Sequence, residues 1–263
     1  MGGELTDAER SGYRRDGFFV RTGLFAADEL KALREAVERV HERICAASAE
    51  PDPAPVERID DKRYQRLLDS LVKWEWQEGR SEIRSMEPCL HLDPRLERLP
   101  DDPRLARPAA ELSGADRLSL FTDKLNFKRP GGAPFPWHQD SPYWAFGCDH
   151  LDRLASVQLY LDDATRENGC LWILAGSHRH GALPVREDRG VLGRLYTDVS
   201  RVEERRERAI EAPAGSAVFF HGDVVHGSRS NASAASRRAL VLTYQPAGLP
   251  RWNRRDVRDI AAG

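Results

Sequence analysis

Histidine and aspartate are the residues of this 263-residue chain whose types and spacing could hold a metal, and they recur in one pattern. Trp137-His138-Gln139-Asp140 sets an imidazole and a carboxylate two residues apart. On a β-strand that spacing points both side chains to the same face. Neutral imidazole nitrogen with carboxylate oxygen suits Fe(II), Zn(II) or Mn(II). Spacing alone does not single the pair out. With 8 His and 22 Asp in the chain, chance gives about 0.7 His-x-Asp triplets. There are four: His91/Asp93, His138/Asp140, His150/Asp152 and His221/Asp223.

Context separates them. His91/Asp93 runs into Pro94 and a charged stretch, and His150/Asp152 sits among loop residues beside Arg153, so both are expected at the surface. His138/Asp140 follows a Gly-rich turn and is bracketed by Trp137, Tyr143 and Trp144, aromatic packing that would hold ligands rigid and exclude water. His221/Asp223 straddles a tight turn, with His226 three residues beyond. His226 opens His226-Gly227-Ser228-Arg229-Ser230-Asn231, and in a jelly roll strands this far apart in sequence meet across the barrel. Arg237 heads the apolar run Ala239 to Tyr244. Burying an arginine there is costly without an anion to bind, and a guanidinium fork grips a carboxylate bidentately. Two histidines, one carboxylate and an inward arginine for an acidic cosubstrate form a coherent set.

Elements must position these groups. Leu30, Leu33, Val37, Val40 and Ile44 recur at steps of three and four, the stripe of an amphipathic helix within a region, residues 1–50, that reads as helical. Prolines at 51, 53 and 55 break the chain into a loop. Residues 61–80 are expected to return to helix, with Trp74 and Trp76 as a pocket wall or ordinary core. From Leu118 the period shortens. The runs 118–128, 155–161, 170–174, 216–220, 224–225 and 239–244 read as short strands separated by turns, a sandwich, jelly roll or barrel. We expect a single domain over 1–263, with a helical portion over about 1–115 and a β core over about 116–248.

Composition narrows the function classes. A formal net charge of −2 gives no electrostatic case for a nucleic-acid or membrane partner. No run approaches the roughly 18 apolar residues of a membrane span. Cys45, Cys89, Cys148 and Cys170 form no Cys-x-x-Cys pair, which points to a reducing, cytoplasmic setting. The expected partner is a small-molecule substrate, and the expected state is a monomer or homodimer.

The chain resembles the phytanoyl-CoA dioxygenase family of Fe(II)/2-oxoglutarate oxygenases. The resemblance rests on Trp-His-Gln-Asp at 137–140, on Asp163 to Cys170 running to Gly176-Ser177-His178, and on His226 to Asn231 with Arg237. It implies a mainly β fold with α elements: a double-stranded β-helix (jelly-roll, cupin-like) core with N-terminal and flanking helices. It implies Fe(II) held by His138, Asp140 and His226, with 2-oxoglutarate and O2 as cosubstrates. Arg237 and Ser228 would bind the distal carboxylate, while Lys124, Gln158 and Arg84 would line the cosubstrate pocket. Asn168-Gly169 would be a structural turn and His178 a loop histidine. Halogenating relatives lack the carboxylate ligand, so Asp140 implies a hydroxylase. Tyr143, Trp144 and Trp74 would wall an aromatic substrate pocket, and the expected reaction is hydroxylation of an unactivated C–H in a natural-product intermediate. The alternatives are a hydroxylase of acyl-CoA or carrier-tethered substrates, and a cupin-like metal enzyme that does not use 2-oxoglutarate.

Overall fold

The computed structural model describes residues 3–77, 79–185, 196–202 and 206–261. Its helices are α1 (Asp7–Asp16), α2 (Ala27–Ser48), α3 (Pro94–Glu97), α4 (Pro103–Ser113) and α5 (Ser141–Trp144). Its strands are β1 (Phe18–Arg21), β2 (Glu57–Ile59), β3 (Lys62–Leu67), β4 (Ser70–Trp74), β5 (Ile83–Glu87), β6 (Leu118–Asn126), β7 (Phe135–His138), β8 (Ala155–Tyr160), β9 (Leu171–Leu174), β10 (Glu207–Ile210), β11 (Ala217–Phe220), β12 (His226–Ser228) and β13 (Ala239–Pro246). Nine strands form one antiparallel sheet in the order β1-β11-β8-β13-β6-β5-β4-β3-β2, and four form a second, β10-β9-β12-β7.

Strand sequence divides the large sheet into two faces. On β8, Ala155, Val157 and Leu159 turn outward with Leu240, Leu242 and Tyr244 of β13 into a core shared with α2 and α4. The apolar stripe of α2, Leu30, Leu33, Val37, Val40 and Ile44, is buried there as its spacing predicts, joined by Ala36. The other face meets the small sheet through Tyr160, Val218, Phe220 and Ala239 packed with Leu171, Trp172 and Ile173. This is the jelly-roll arrangement expected from the sequence. β6 carries a bulge: Thr243 pairs with Thr122 but Tyr244 pairs with Leu120, leaving Phe121 as the extra residue. A one-residue insertion reverses the phase of a strand. Leu118 and Leu120 therefore face the helices, whereas Thr122, Lys124 and Asn126 line the interior cavity.

Two expectations are corrected. Residues 61–80 are not helix but the hairpin β3–β4, with Leu67 and Val72 buried and Leu68 43% exposed at its tip. Leu68 and Asp69 both take positive φ, 48° and 60°, so the turn is made without glycine or asparagine and its four neighbouring apolar residues mimic a helical stripe. Residues 1–115 carry α1 to α4 and also supply five of the nine strands of the large sheet. β1 closes that sheet's edge on β11, where the Phe19 and Phe219 rings stack at 4.8 Å. Val224 and Val225 lie just ahead of β12 rather than in a strand. No helix among the described residues is long and apolar enough to cross a membrane.

On the outer face, the buried Asp123 carboxylate accepts from the backbone N–H groups of Cys89 at 2.6 Å and Leu90 at 3.0 Å. Replacing it with alanine strands both donors away from water. Asp123→Ala should lower unfolding free energy by on the order of 2–4 kcal/mol, read as a shift in urea midpoint.

Candidate active site

β7 ends on His138 and β12 begins on His226, and the two are direct antiparallel partners. Their imidazole rings lie 4.2 Å apart between centroids. Asp140 follows β7, its N–H bonded to the carbonyl of Gly222 at 3.0 Å. Its carboxylate reaches 3.9 Å from His138 Nε2 and 3.8 Å from His226 Nε2. Among the described residues, this is the group of His, Cys, Asp or Glu side chains whose ligand atoms converge to within 4.8 Å of one another.

The tautomers are set by the backbone. His138 Nδ1 faces the Pro136 carbonyl at 2.8 Å and His226 Nδ1 faces the Val224 carbonyl at 3.0 Å. A carbonyl only accepts, so each Nδ1 carries the proton and each Nε2 turns a lone pair toward Asp140. Burial, reinforced by the neighbouring His226, holds His138 well below the usual imidazole range, keeping that lone pair free. Two Nε2 atoms and a carboxylate on one side of a shared point fit a divalent metal with open positions. The intervening Gln139 points elsewhere: its amide donates to Gly181 and Asp223 carbonyls and accepts from Leu183 N–H, clamping two loops.

The other triplets resolve differently. His221 Nδ1 accepts from Asp223 N–H at 3.0 Å, closing the tight turn. The two pairs expected at the surface are more engaged than that. Asp93 is buried, capping α3 and pairing with Arg39, while His91 bonds the Leu68 carbonyl. His150 is half-buried against Gln245 at 3.0 Å. Asp152 is exposed, as expected. His178 bonds the Arg14 carbonyl in a loop, and Asn168 braces its own turn through Thr165 and Asp163.

A cavity of about 690 Å³ opens from this cluster, within the range of small-molecule sites. It is lined by His138, Asp140, His226, Arg237, Ser228, Lys124, Gln158, Arg84, Tyr143, Trp144 and Trp74, so it gathers all the residues singled out in sequence. At its inner end Arg237 is 2% exposed and donates Nη2 to the Gly169 carbonyl at 2.6 Å, while its Nε has no partner. Gln158 Nε2 is also buried without a partner. Orphaned buried donors of this kind fit an acidic ligand. Arg84 differs: its guanidinium donates to the carbonyls of Ala133 and Pro134, lies 3.6 Å from Glu75 and stacks between Trp76 and Phe135. It braces the loop before β7 while forming cavity wall. Trp74 donates to Gln65, and Trp144 packs on Phe121 beneath α5.

Sequence reading missed Lys128. Buried at a φ of +37°, it donates to the Ala133 carbonyl at 2.8 Å and to Ser228 Oγ at 2.9 Å. Burial, then repulsion from Arg237 and Arg84, pushes its pKa down to about 6. The one available signal was compositional, a lysine in a chain with 35 Arg and 5 Lys. Lys73, Glu87, Tyr64 and Trp252 also line the cavity and were not foreseen.

Comparison with known proteins agrees with this geometry. The family model described as phytanoyl-CoA dioxygenase (PhyH) matches residues 13–239. The L-proline trans-4-hydroxylase of Streptomyces griseoviridis is 33% identical over 190 residues, 64% of this chain and 69% of that protein. The ectoine dioxygenase of Bordetella parapertussis is 30% identical over 253 residues, 88% and 72% respectively. Among solved structures, EctD from S. alaskensis with 2-oxoglutarate and 5-hydroxyectoine superposes with a TM-score of 0.72 at 22% identity, covering 99% of this chain and 86% of that one. EvdO2 from Micromonospora carbonacea var. aurantiaca complexed with 2-oxoglutarate does so at 0.64 and 25%, covering 94% and 93%.

Two outcomes test the construction. A Cβ on Gly227 would lie 2.8 Å from the Phe135 carbonyl oxygen, wedging β12 off β7. Gly227→Ala should weaken Mn(II) or Fe(II) binding by roughly tenfold or more, about 1.4 kcal/mol, in anaerobic calorimetry, without touching a ligand. Lys128, depressed from 10.5 when unfolded to about 6 when folded, makes the unfolded chain bind the extra proton between those values. Stability therefore rises with pH across that window, by up to about 1.4 kcal/mol per unit. Lys128→Met should flatten the difference in urea midpoint between pH 7 and pH 9.

Proposed function

The chain belongs to the phytanoyl-CoA dioxygenase family of Fe(II)- and 2-oxoglutarate-dependent oxygenases, and on that premise we propose that it hydroxylates an unactivated C–H bond of a small, ring-bearing natural-product intermediate. The carrying observation is the convergence of His138, Asp140 and His226 at one end of a cavity whose inner wall holds the unpartnered Arg237. Relatives that act on L-proline and on ectoine support a small substrate. The rings support its cyclic or apolar character: Tyr143 packs against Trp252 at 5.0 Å with the rings tilted by 41°, and Trp74 and Tyr64 also line the cavity.

Fe(II) with 2-oxoglutarate and O2 supplies the oxidising chemistry, with succinate and CO2 as co-products. The chain's own groups do the rest. His138 and His226 turn Nε2 toward Asp140 because the Pro136 and Val224 carbonyls hold their Nδ1 atoms. Asp140 adds the carboxylate. Arg237 offers its free Nε, and Gln158 its free amide, to the distal carboxylate of the keto-acid, while Ser228 is held in place by Lys128. Tyr143 remains a phenol: burial, then the charges of Glu87 and Asp140, push its pKa up to about 12. It therefore donates a hydrogen bond toward whatever occupies the cavity. Trp144, wedged against Phe121, closes the floor beneath it against water.

An anaerobic visible spectrum of the protein with Fe(II), before and after 2-oxoglutarate, should develop the weak charge-transfer band of a chelated keto-acid. His226→Ala should lose it. Arg237→Ala should need roughly ten- to a hundredfold more 2-oxoglutarate to reach it, matching about 1.5–3 kcal/mol for a charge-assisted pair. His91→Ala and His150→Ala should leave it as it is. Iron binding with no band would remove 2-oxoglutarate from this cavity and, with it, the proposed reaction.

A further inference from the structure

The cavity-facing side of the large sheet carries one row of residues in register across six strands: Gln158, Val241, Lys124, Glu87, Leu71 and Arg66. Gln158 and Arg237 mark the inner end, where the acidic cosubstrate is placed. Lys124 lies two strands away, about 10 Å at the usual strand spacing, toward the open end where Arg66 is exposed.

The charges around Lys124 do not balance. Glu87 is the nearest carboxylate, and Lys73 already holds it at 2.6 Å. Lys124 Nζ stands 4.0 Å from the other oxygen of Glu87, outside hydrogen-bond reach. Among the described residues no other acceptor bonds it, and it stands 5.5 Å from the centroid of the Phe135 ring. Two ammonium groups thus share Glu87, the one carboxylate among the described residues within 4.0 Å of either, in a half-buried wall. Arg84, bound to backbone carbonyls beside Glu75, adds a smaller repulsion of its own. Burial, then repulsion from Lys73, pushes the Lys124 pKa down to about 8. That is the strain an arriving anion would relieve. Asp140 is close enough to act on Lys124 electrostatically, so a group anchored here lies near the metal-ligand cluster.

We propose that Lys124, backed by the Lys73–Glu87 pair, anchors a monoanionic carboxylate of the substrate, so that the enzyme selects acidic ring-bearing molecules and presents their C–H bonds toward His138, Asp140 and His226. This rests on the proposed hydroxylase reading of the cavity. The anchor is a compact point charge on a sheet, and an adjacent aromatic wall of Tyr143 and Trp252 accommodates the apolar remainder. The substrate class is then an organic acid with one free carboxylate.

The test compares 3-phenylpropionate with 3-phenylpropanamide, probes of equal shape that differ by one charge. Binding is read by tryptophan fluorescence on the Fe(II)-loaded protein with 2-oxoglutarate under anaerobic conditions, and the charge-transfer band is recorded on the same samples. The acid should bind at least tenfold tighter than the amide. Lys124→Met should erase that preference, and Glu87→Gln, which frees the second ammonium, should increase it severalfold. Equal binding of acid and amide, or a Lys124→Met variant that weakens 2-oxoglutarate but not the acid, overturns the inference while the hydroxylase reading stands. Absence of the band in the unmutated protein strikes that reading instead, and the acid–amide preference still reports on the anchor.

Discussion

The short antiparallel pairing of β12 with β7 is the constraint on which the site depends. It brings two histidines 88 residues apart into direct register and fixes both rings from behind through backbone carbonyls. Only three residues form β12, held between β9 and β7, and Gly227 is required because the β7 backbone passes within contact distance of where a side chain would begin. The small sheet supplies ligands; the large sheet supplies the cavity wall. Each sheet is antiparallel, and the cavity is what remains where their facing side chains stop being apolar.

Burying that many polar groups is costly, and the molecule meets the cost unevenly. Arg84 is bound to two backbone carbonyls and Lys128 to one and to Ser228 Oγ, and both act as braces beneath the loop that leads into β7. Arg237, Gln158 and Lys124 keep donor capacity in reserve. Unsatisfied donors are rare in interiors and cluster where a ligand completes them. The distinction between braced and reserved cations separates structural from binding roles better than burial does, since Arg84 and Arg237 are almost equally inaccessible.

The sequence exposed the chemistry more readily than the architecture that serves it. The ligands were legible because aromatic neighbours and a downstream histidine distinguished one His-x-Asp pair from three others, and Arg237 because its charge heads an apolar run. The stripe of α2 was legible from its period. The hairpin β3–β4 was not, since Leu67, Leu68, Leu71 and Val72 repeat at helical spacing and the turn between them lacks its usual residues. The closing strand β1 was too short to show a period. Lys73, Glu87 and Lys128 carry no local signature: they matter because of what lies across the sheet, and register is a property of pairs of strands.

The extra residue at Phe121 gives β6 two halves with opposite allegiances. Before it the even-numbered Leu118 and Leu120 belong to the helix-side core, and after it the even-numbered Thr122, Lys124 and Asn126 line the reaction chamber while Leu125 returns to the core. An evolutionary gain or loss of a single codon near this point would preserve the strand and its hydrogen bonds while exchanging the lining of the chamber for hydrophobic packing. Homologues can therefore be compared position by position along this strand only when they share the bulge. A relative without it would carry its specificity residues one place out of step, and a sequence match at Lys124 there would mean a side chain on the wrong side of the sheet.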